Sequence, residues 1–202
     1  MQYVFIVKNT FEEFVSLGKS FPYPAAPMKI CHNPSCKRMV QFKKHGFYYR
    51  YFISNYYKGL IQIRRYICPI CGCTISYIPH FCLPGFAHAL EHIFEYIYEV
   101  FYRKGSIKAC LSDLNKKNSG IYISRQLLYH YRKRFINNLS MIQIGLRQIS
   151  SNVRLPENSL KKEERAKKVL GIMKSASTTI HSFSQQFHNK TNNAFLSLCK
   201  LL

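Results

Sequence analysis

Cys68 and Cys71, in the run CPICG, have the spacing of a metal knuckle. The glycine directly after the second cysteine permits the tight turn that aims backbone N–H groups at sulfur. Such a knuckle supplies half of a site. The other half is Cys31 and Cys36, in CHNPSC, where four residues instead of two separate the sulfurs. The whole pattern is C-x4-C, thirty-one residues, C-x2-C. Four thiolates around one Zn²⁺ make a closed, tetrahedral, structural site. His32, His45, Cys73, His80 and Cys82 are possible substitutes for a ligand of the wider pair. Cys73, Cys82, Cys110 and Cys199 are each expected to be small buried apolar side chains. Clustered cysteines in a chain without a secretory signal read as metal ligands in a reducing cytoplasm.

Two strand-like runs, FYYRYFI and LIQIRRYI, separate the knuckles, joined through SNYYKG. A hairpin built from them brings the four sulfurs together, which is the layout of a zinc ribbon. So small a sheet buries little apolar area, and metal binding supplies the missing folding energy. The predicted class is α+β: a small β ribbon followed by a mostly helical region. Four segments are expected. Residues 1–30 hold a strand (Tyr3 to Val7), a short helix capped near Asn9 or Thr10, and an extended Pro-rich lead, FPYPAAP. Residues 31–83 are the ribbon, 84–150 a helical domain, and 151–202 two further helices.

Charge narrows the partner. Thirty Lys and Arg stand against nine Asp and Glu, and no acid occurs between Phe14 and Leu90. Such a surface attracts a polyanion, of which nucleic acid is the commonest. Within the ribbon, Lys43, Lys44, Arg50, Arg64 and Arg65 are placed to lie along phosphates. Tyr48, Tyr49, Tyr51, Tyr56 and Tyr57 are interleaved with them. Tyrosine can stack on bases, although the strand period turns about half of an alternating set inward. No apolar run of about eighteen residues occurs, so no membrane span is expected.

The first long helix is expected in PGFAHALEHIFEYIYEVFYRKG, with Phe86, Leu90, Ile93, Phe94, Ile97 and Phe101 inward. His88, Glu91, His92, Glu95, Glu99 and Tyr102 form the opposite, solvated face. HALEH within it matches the H-x-x-E-H pattern of zinc proteases, a short motif that arises by chance. SIKACLSDLNKK is a helix capped by Ser106, with Ile107, Cys110, Leu111 and Leu114 as its apolar stripe. SRQLLYHYRKRFINNL follows, capped by Ser124, with Leu127, Leu128, Tyr131, Phe135 and Leu139 on one side. Arg125, Gln126, Tyr129, His130, Lys133 and Asn137 lie on the other. The pair reads as a helix-turn-helix whose second helix is basic. Arg reads guanine and Gln reads adenine in a major groove. Further on, Ala166, Val169, Leu170 and Met173 form a stripe, and Ile180, Phe187, Ala194 and Leu201 recur every seventh residue. That recurrence marks a helix–helix seam, within the chain or in a homodimer.

Taken together, the cysteine pair, HGFYYR, IQIRRYICPICGCTISYIPHFCLPG, the long helix and the helix-turn-helix resemble the zinc-ribbon head of bacterial insertion-sequence transposases. Short transposon-associated proteins carrying only such a head are similar as well. The resemblance covers residues 31–140. It implies Zn²⁺ on Cys31, Cys36, Cys68 and Cys71, and recognition of double-stranded DNA, such as transposon ends, by residues 125–137. Transposases of that type cut DNA with three carboxylates holding two metal ions. This chain has one aspartate, Asp113, so an Asp-Asp-Glu core cannot be assembled. The protein is expected not to cut the ends alone, acting as a transposition accessory beside a separate transposase subunit or as a repressor of the element. The expectation is a non-enzymatic, cytoplasmic, nucleoid-associated DNA-binding protein. Its rivals are a single-strand or RNA binder that stacks bases on tyrosines, and a ribbon that docks on another protein.

Overall fold

The computed structural model describes residues 2–103, 106–118, 120–175 and 179–197. Cys199 and Leu201 lie outside the described residues. The fold is α+β, with strands in the first part of the chain and helices in the second. It divides into two compact units: a sheet unit of Met1–Phe52 with Gly59–His80, and a helical unit of Ile53–Lys58 with Phe81–Leu202.

The strands are β1 (Gln2–Phe5), β2 (Met28–Ile30), β3 (Met39–Gln41), β4 (Lys43–Ile53), β5 (Lys58–Ile67) and β6 (Thr74–Pro79). β1, β6, β5 and β4 form one sheet in that order, while β2 and β3 form a small antiparallel pair. The N-terminal strand therefore completes the ribbon's sheet, running parallel to β6 with Tyr3 opposite Tyr77. Between them, α1 (Phe11–Leu17) is opened by Thr10 through a full capping box with Glu13. The Pro-rich lead is extended, as its prolines require, and it straps the sheet. Tyr23 donates its hydroxyl to the Gln62 carbonyl at 2.6 Å, and Tyr66 donates to Pro24 at 2.5 Å. Phe5, Phe14, Phe21, Tyr66 and Tyr77 are buried around the strap. The alternation rule misassigns the hairpin tyrosines: none of Tyr48, Tyr49, Tyr51, Tyr56 and Tyr57 is buried. The strap covers Tyr66 and Tyr77 instead, so these two supply the aromatic core.

In the helical unit, α2 (Leu90–Tyr102) starts later than the sequence pattern predicts. His88 and Ala89 are taken into β-bridges with Ile53 and Cys82, which holds their backbone extended. Leu90, Ile93, Ile97 and Phe101 are buried as expected, and Phe86 packs against the same core from ahead of the helix. α3 (Ile107–Lys117) and α4 (Arg125–Asn137) begin at Ser106 and Ser124, whose hydroxyls accept the N–H of Ala109 and Leu127. α5 (Leu139–Ile149) follows after the single break at Asn138. The buried Asn138 side-chain amide donates to the Phe195 carbonyl at 3.0 Å, a long-range contact that ties the α4–α5 junction to the chain beyond α7. α6 (Lys162–Ser175) and α7 (Ile180–Thr191) complete the unit. Ala166, Val169, Leu170, Met173, Phe187 and Ala194 are all buried in this chain's own core, with Ile180 packed against it. Gly145 lets α5 and α7 touch: a Cβ there would lie 2.1 Å from the Phe187 ring. No described helix is long and apolar enough to cross a membrane.

Candidate functional site

Each cysteine pair occupies the turn of a hairpin. Cys31 and Cys36 lie between β2 and β3, and Cys68 and Cys71 between β5 and β6. The two turns share one hydrogen-bond plan despite their different spacing. The Cys68 N–H donates to the Cys73 carbonyl at 2.8 Å, and the Cys31 N–H to the Arg38 carbonyl at 2.9 Å. In each case the acceptor lies two residues past the second cysteine. The Gly72 N–H donates to the Cys68 carbonyl at 3.1 Å, and the Lys37 N–H to the Asn33 carbonyl at 3.0 Å. Asn33 thus takes the place in the turn that Cys68 holds in the other knuckle, and the two extra residues are absorbed before it. Its side chain accepts the Ser35 N–H at 3.0 Å, closing an Asx turn. After each second cysteine the backbone turns left-handed, at Gly72 with φ 74° and at Lys37 with φ 44°. The role of Asn33 and Lys37 was not legible from spacing. The Asn-Pro dipeptide was the available signal.

The four sulfurs lie within 4.8 Å of one another, with Cys31 to Cys71 at 3.5 Å and Cys36 to Cys68 at 4.0 Å. A disulfide needs about 2.05 Å. Tetrahedral coordination with metal–sulfur bonds of about 2.3 Å sets sulfurs about 3.8 Å apart. The observed spread brackets that value, so the cluster is built to hold a metal ion. Cys31 and Cys68 are buried, and Cys36 and Cys71 are half-buried.

A thiolate at one sulfur disfavours a second one beside it. At Cys31 a backbone hydrogen bond near Asn33 favours the thiolate, but burial and the neighbouring thiols together outweigh it and push the group up to about 12. Cys71 is drawn down to about 6, chiefly by the backbone hydrogen bond from Cys73, with help from Asn33 and the adjacent thiols. Charge gathers on one sulfur at the expense of its neighbour. A divalent cation removes that conflict, because a coordinating thiol is deprotonated outright.

Among the described residues, the four predicted cysteines are the only such metal-competent group. His32 and His45 are exposed, and His80 accepts the Val7 N–H at 3.0 Å. Cys82 and Cys110 are buried as expected. Cys73 is half-buried, because its own backbone forms the knuckle turn. In HALEH, His88 Nδ1 bonds the Tyr131 hydroxyl at 2.9 Å, and His92 Nε2 accepts the Asn55 N–H at 3.2 Å. Glu91 lies 3.4 Å from His181. These histidines are structural partners on a half-buried face, which corrects the expectation of a solvated one.

On α4, Arg125, Gln126, Tyr129, His130, Lys133 and Asn137 are all exposed. Leu128, Tyr131 and Phe135 are buried. Arg125 lies over the Tyr129 ring, 5.4 Å from its centroid. The connection from α3 spans residues 118–124, seven in all, against the three or four of a tight helix-turn-helix. It is held by Asn115, which accepts the Ile123 N–H at 2.7 Å and donates to its carbonyl at 3.0 Å. In the sheet unit, Lys43 and Lys44 are exposed, while Arg50, Arg64 and Arg65 are partly covered. Arg65 donates to Thr74 at 2.8 Å, and Arg64 stacks over Phe47 at 4.6 Å.

Fold and site together define an α+β protein with a four-cysteine cluster positioned to bind a metal ion. No protein-family model, curated protein or solved structure matches the chain.

Proposed function

We propose that this chain is a zinc-dependent protein that binds double-stranded DNA without cutting it, related to the recognition heads of insertion-sequence transposases. The ion is Zn²⁺: four thiolates in a closed tetrahedral set suit it, and it brings no redox chemistry. Its role is structural. It ties two hairpin turns that bury little apolar surface of their own, so the cationic strands beside them hold their shape.

The observation that carries the DNA reading is the division of α4. Every residue predicted to face a groove is exposed, while Leu128, Tyr131 and Phe135 anchor the opposite side. Arg125 and Gln126 then lie in the first turn, where a recognition helix meets base edges. Arg50, Arg64, Arg65, Lys43 and Lys44 supply backbone contacts from the ribbon. The protein works in the cytoplasm on nucleoid DNA, with a separate transposase subunit or a second copy of itself as its protein partner.

Random-site selection on duplex DNA with the metal-loaded protein tests this. Six phosphate contacts predict an affinity loss of about a thousandfold between 50 and 200 mM salt. Arg125→Ala is expected to weaken binding and relax one base position of the selected site. Recovery of no preferred site, with affinity flat across that salt range, refutes the reading. A second reading, single-strand binding, is favoured by the exposure of Tyr49, Tyr51 and Tyr56. It predicts that single strands outcompete duplex and that Tyr49→Ala costs more than Arg125→Ala.

A further inference from the structure

The sheet unit contains an open cleft of about 310 Å³, lined by residues distinct from the metal ligands. Lys19 and Ser20 enter it from the 3-10 turn Gly18–Ser20 that follows α1. Gly18 makes that turn possible, with φ 50° at the end of the helix. Lys44 comes from β4, Arg64 from β5, and Tyr23 and Tyr66 from the strap and the sheet beneath it.

The two tyrosine hydroxyls are already engaged with the carbonyls of Gln62 and Pro24. What remains to meet a ligand is one hydroxyl, Ser20, and three cationic heads. The Arg64 guanidinium lies over the Phe47 ring at 4.6 Å and near the Tyr66 ring at 5.7 Å. Stacking fixes the plane of the fork without neutralising it. None of the ion pairs among the described residues involves Lys19, Lys44 or Arg64. The nearest acid in sequence, Glu13, is held in the capping box with Thr10. Three cations without an acidic partner among the described residues line this one open cleft and give it a positive field.

A planar fork, two point charges and a hydroxyl donor match a phosphoryl group better than a carboxylate, which has only two acceptor oxygens. The volume is at the small end of ligand pockets, roughly 300 Å³ and upward. It therefore has room for a phosphate together with the sugar it esterifies. We propose that the cleft is a phosphate-ester site in which Arg64 grips the phosphoryl oxygens and Lys19 and Lys44 neutralise them. Taking that phosphate from a nucleic-acid backbone rests on the proposed DNA binding. A free nucleotide or other phosphate ester carries the same chemistry.

The test uses the full, metal-loaded chain in two arms. In the first, adenosine monophosphate and inorganic phosphate are titrated while backbone and Arg side-chain NMR shifts are followed. Shifts are expected at Gly18, Lys19, Ser20 and Arg64 with the ester, and their loss is expected in Lys19→Ala and in Arg64→Lys. The second variant keeps the charge and removes the fork. In the second arm, duplex affinity is measured against salt. Lys19→Ala and Lys44→Ala are each expected to lower the slope of log affinity by about 0.9. Duplex binding with unchanged slopes in both variants, and no shifts in the cleft, overturns the site and leaves the DNA reading standing. Ester shifts in the cleft of a protein that binds no duplex uphold the site and end the DNA reading.

Discussion

Stripping the metal should unfold the knuckles and leave the helical unit intact. β2 and β3 pair over only three residues each, and Met28, Ile30 and Met39 on them remain exposed. An isolated two-stranded hairpin is marginal at best in water. The amides that close the turns belong to Cys31, Cys36, Lys37, Cys68 and Gly72. Structural zinc contributes about 10–16 kcal/mol in finger peptides, as much as the whole stability of a typical domain, about 5–15 kcal/mol. Removing even a third of that changes the opening equilibrium of the turns by about a thousandfold. Hydrogen exchange at neutral pH, before and after chelation, measures this residue by residue. Protection at the five knuckle amides is expected to collapse, and to return on adding Zn²⁺. Amides inside the helical unit, such as Asn118 to Leu114 and Asn138 to Arg134, are expected to stay protected. Unchanged protection at the knuckles after the metal has gone would refute the reasoning, since the turns would then stand on their own hydrogen bonds.

Two further outcomes concern the helical unit. Gly145→Ala places a methyl group 2.1 Å from the Phe187 ring, so α5 and α7 must separate. A destabilisation of about 1–3 kcal/mol is expected in denaturant melts, and a wild-type midpoint contradicts the packing. Burial pushes the His88 and His92 imidazoles below their ordinary value; His92 reinforces this at His88, while Glu95 and Glu91 oppose it at His92. Between those lowered values and about 6.5 the unfolded chain binds more protons than the folded one. This contribution to stability is therefore full above about pH 6.5 and is lost as pH falls through the folded values. The helical far-UV signal should melt at lower temperature at pH 5.5 than at pH 7.5, and a flat or opposite trend rules the assignment out.

The grouping of Cys31, Cys36, Cys68 and Cys71 was legible because it is carried by residue type and local spacing. Ser106 and Ser124 were legible as caps for the same reason, and the first helix's cap was narrowed to Asn9 or Thr10, since a cap is decided within four residues. The two sides of α4 followed from helical period alone. Non-local decisions were not legible. The sequence pattern starts α2 near Pro84, but bridges with Ile53 and Cys82 hold His88 and Ala89 extended. The parallel pairing of β1 with β6 joins residues more than seventy positions apart, and no local signal announces it. Strand alternation gave the tyrosines two faces without saying which face the Pro-rich strap would cover. The plan of the first knuckle depended on Asn33 mimicking a cysteine's place in the turn, which the count of residues between sulfurs does not reveal.

X-ray absorption at the metal edge, on protein purified without added metal, is the most direct measurement of the proposed centre. One zinc per chain surrounded by four sulfurs at about 2.3 Å is predicted. A shell containing nitrogen or oxygen, or a metal that stays bound with the same shell in Cys68→Ser, contradicts it.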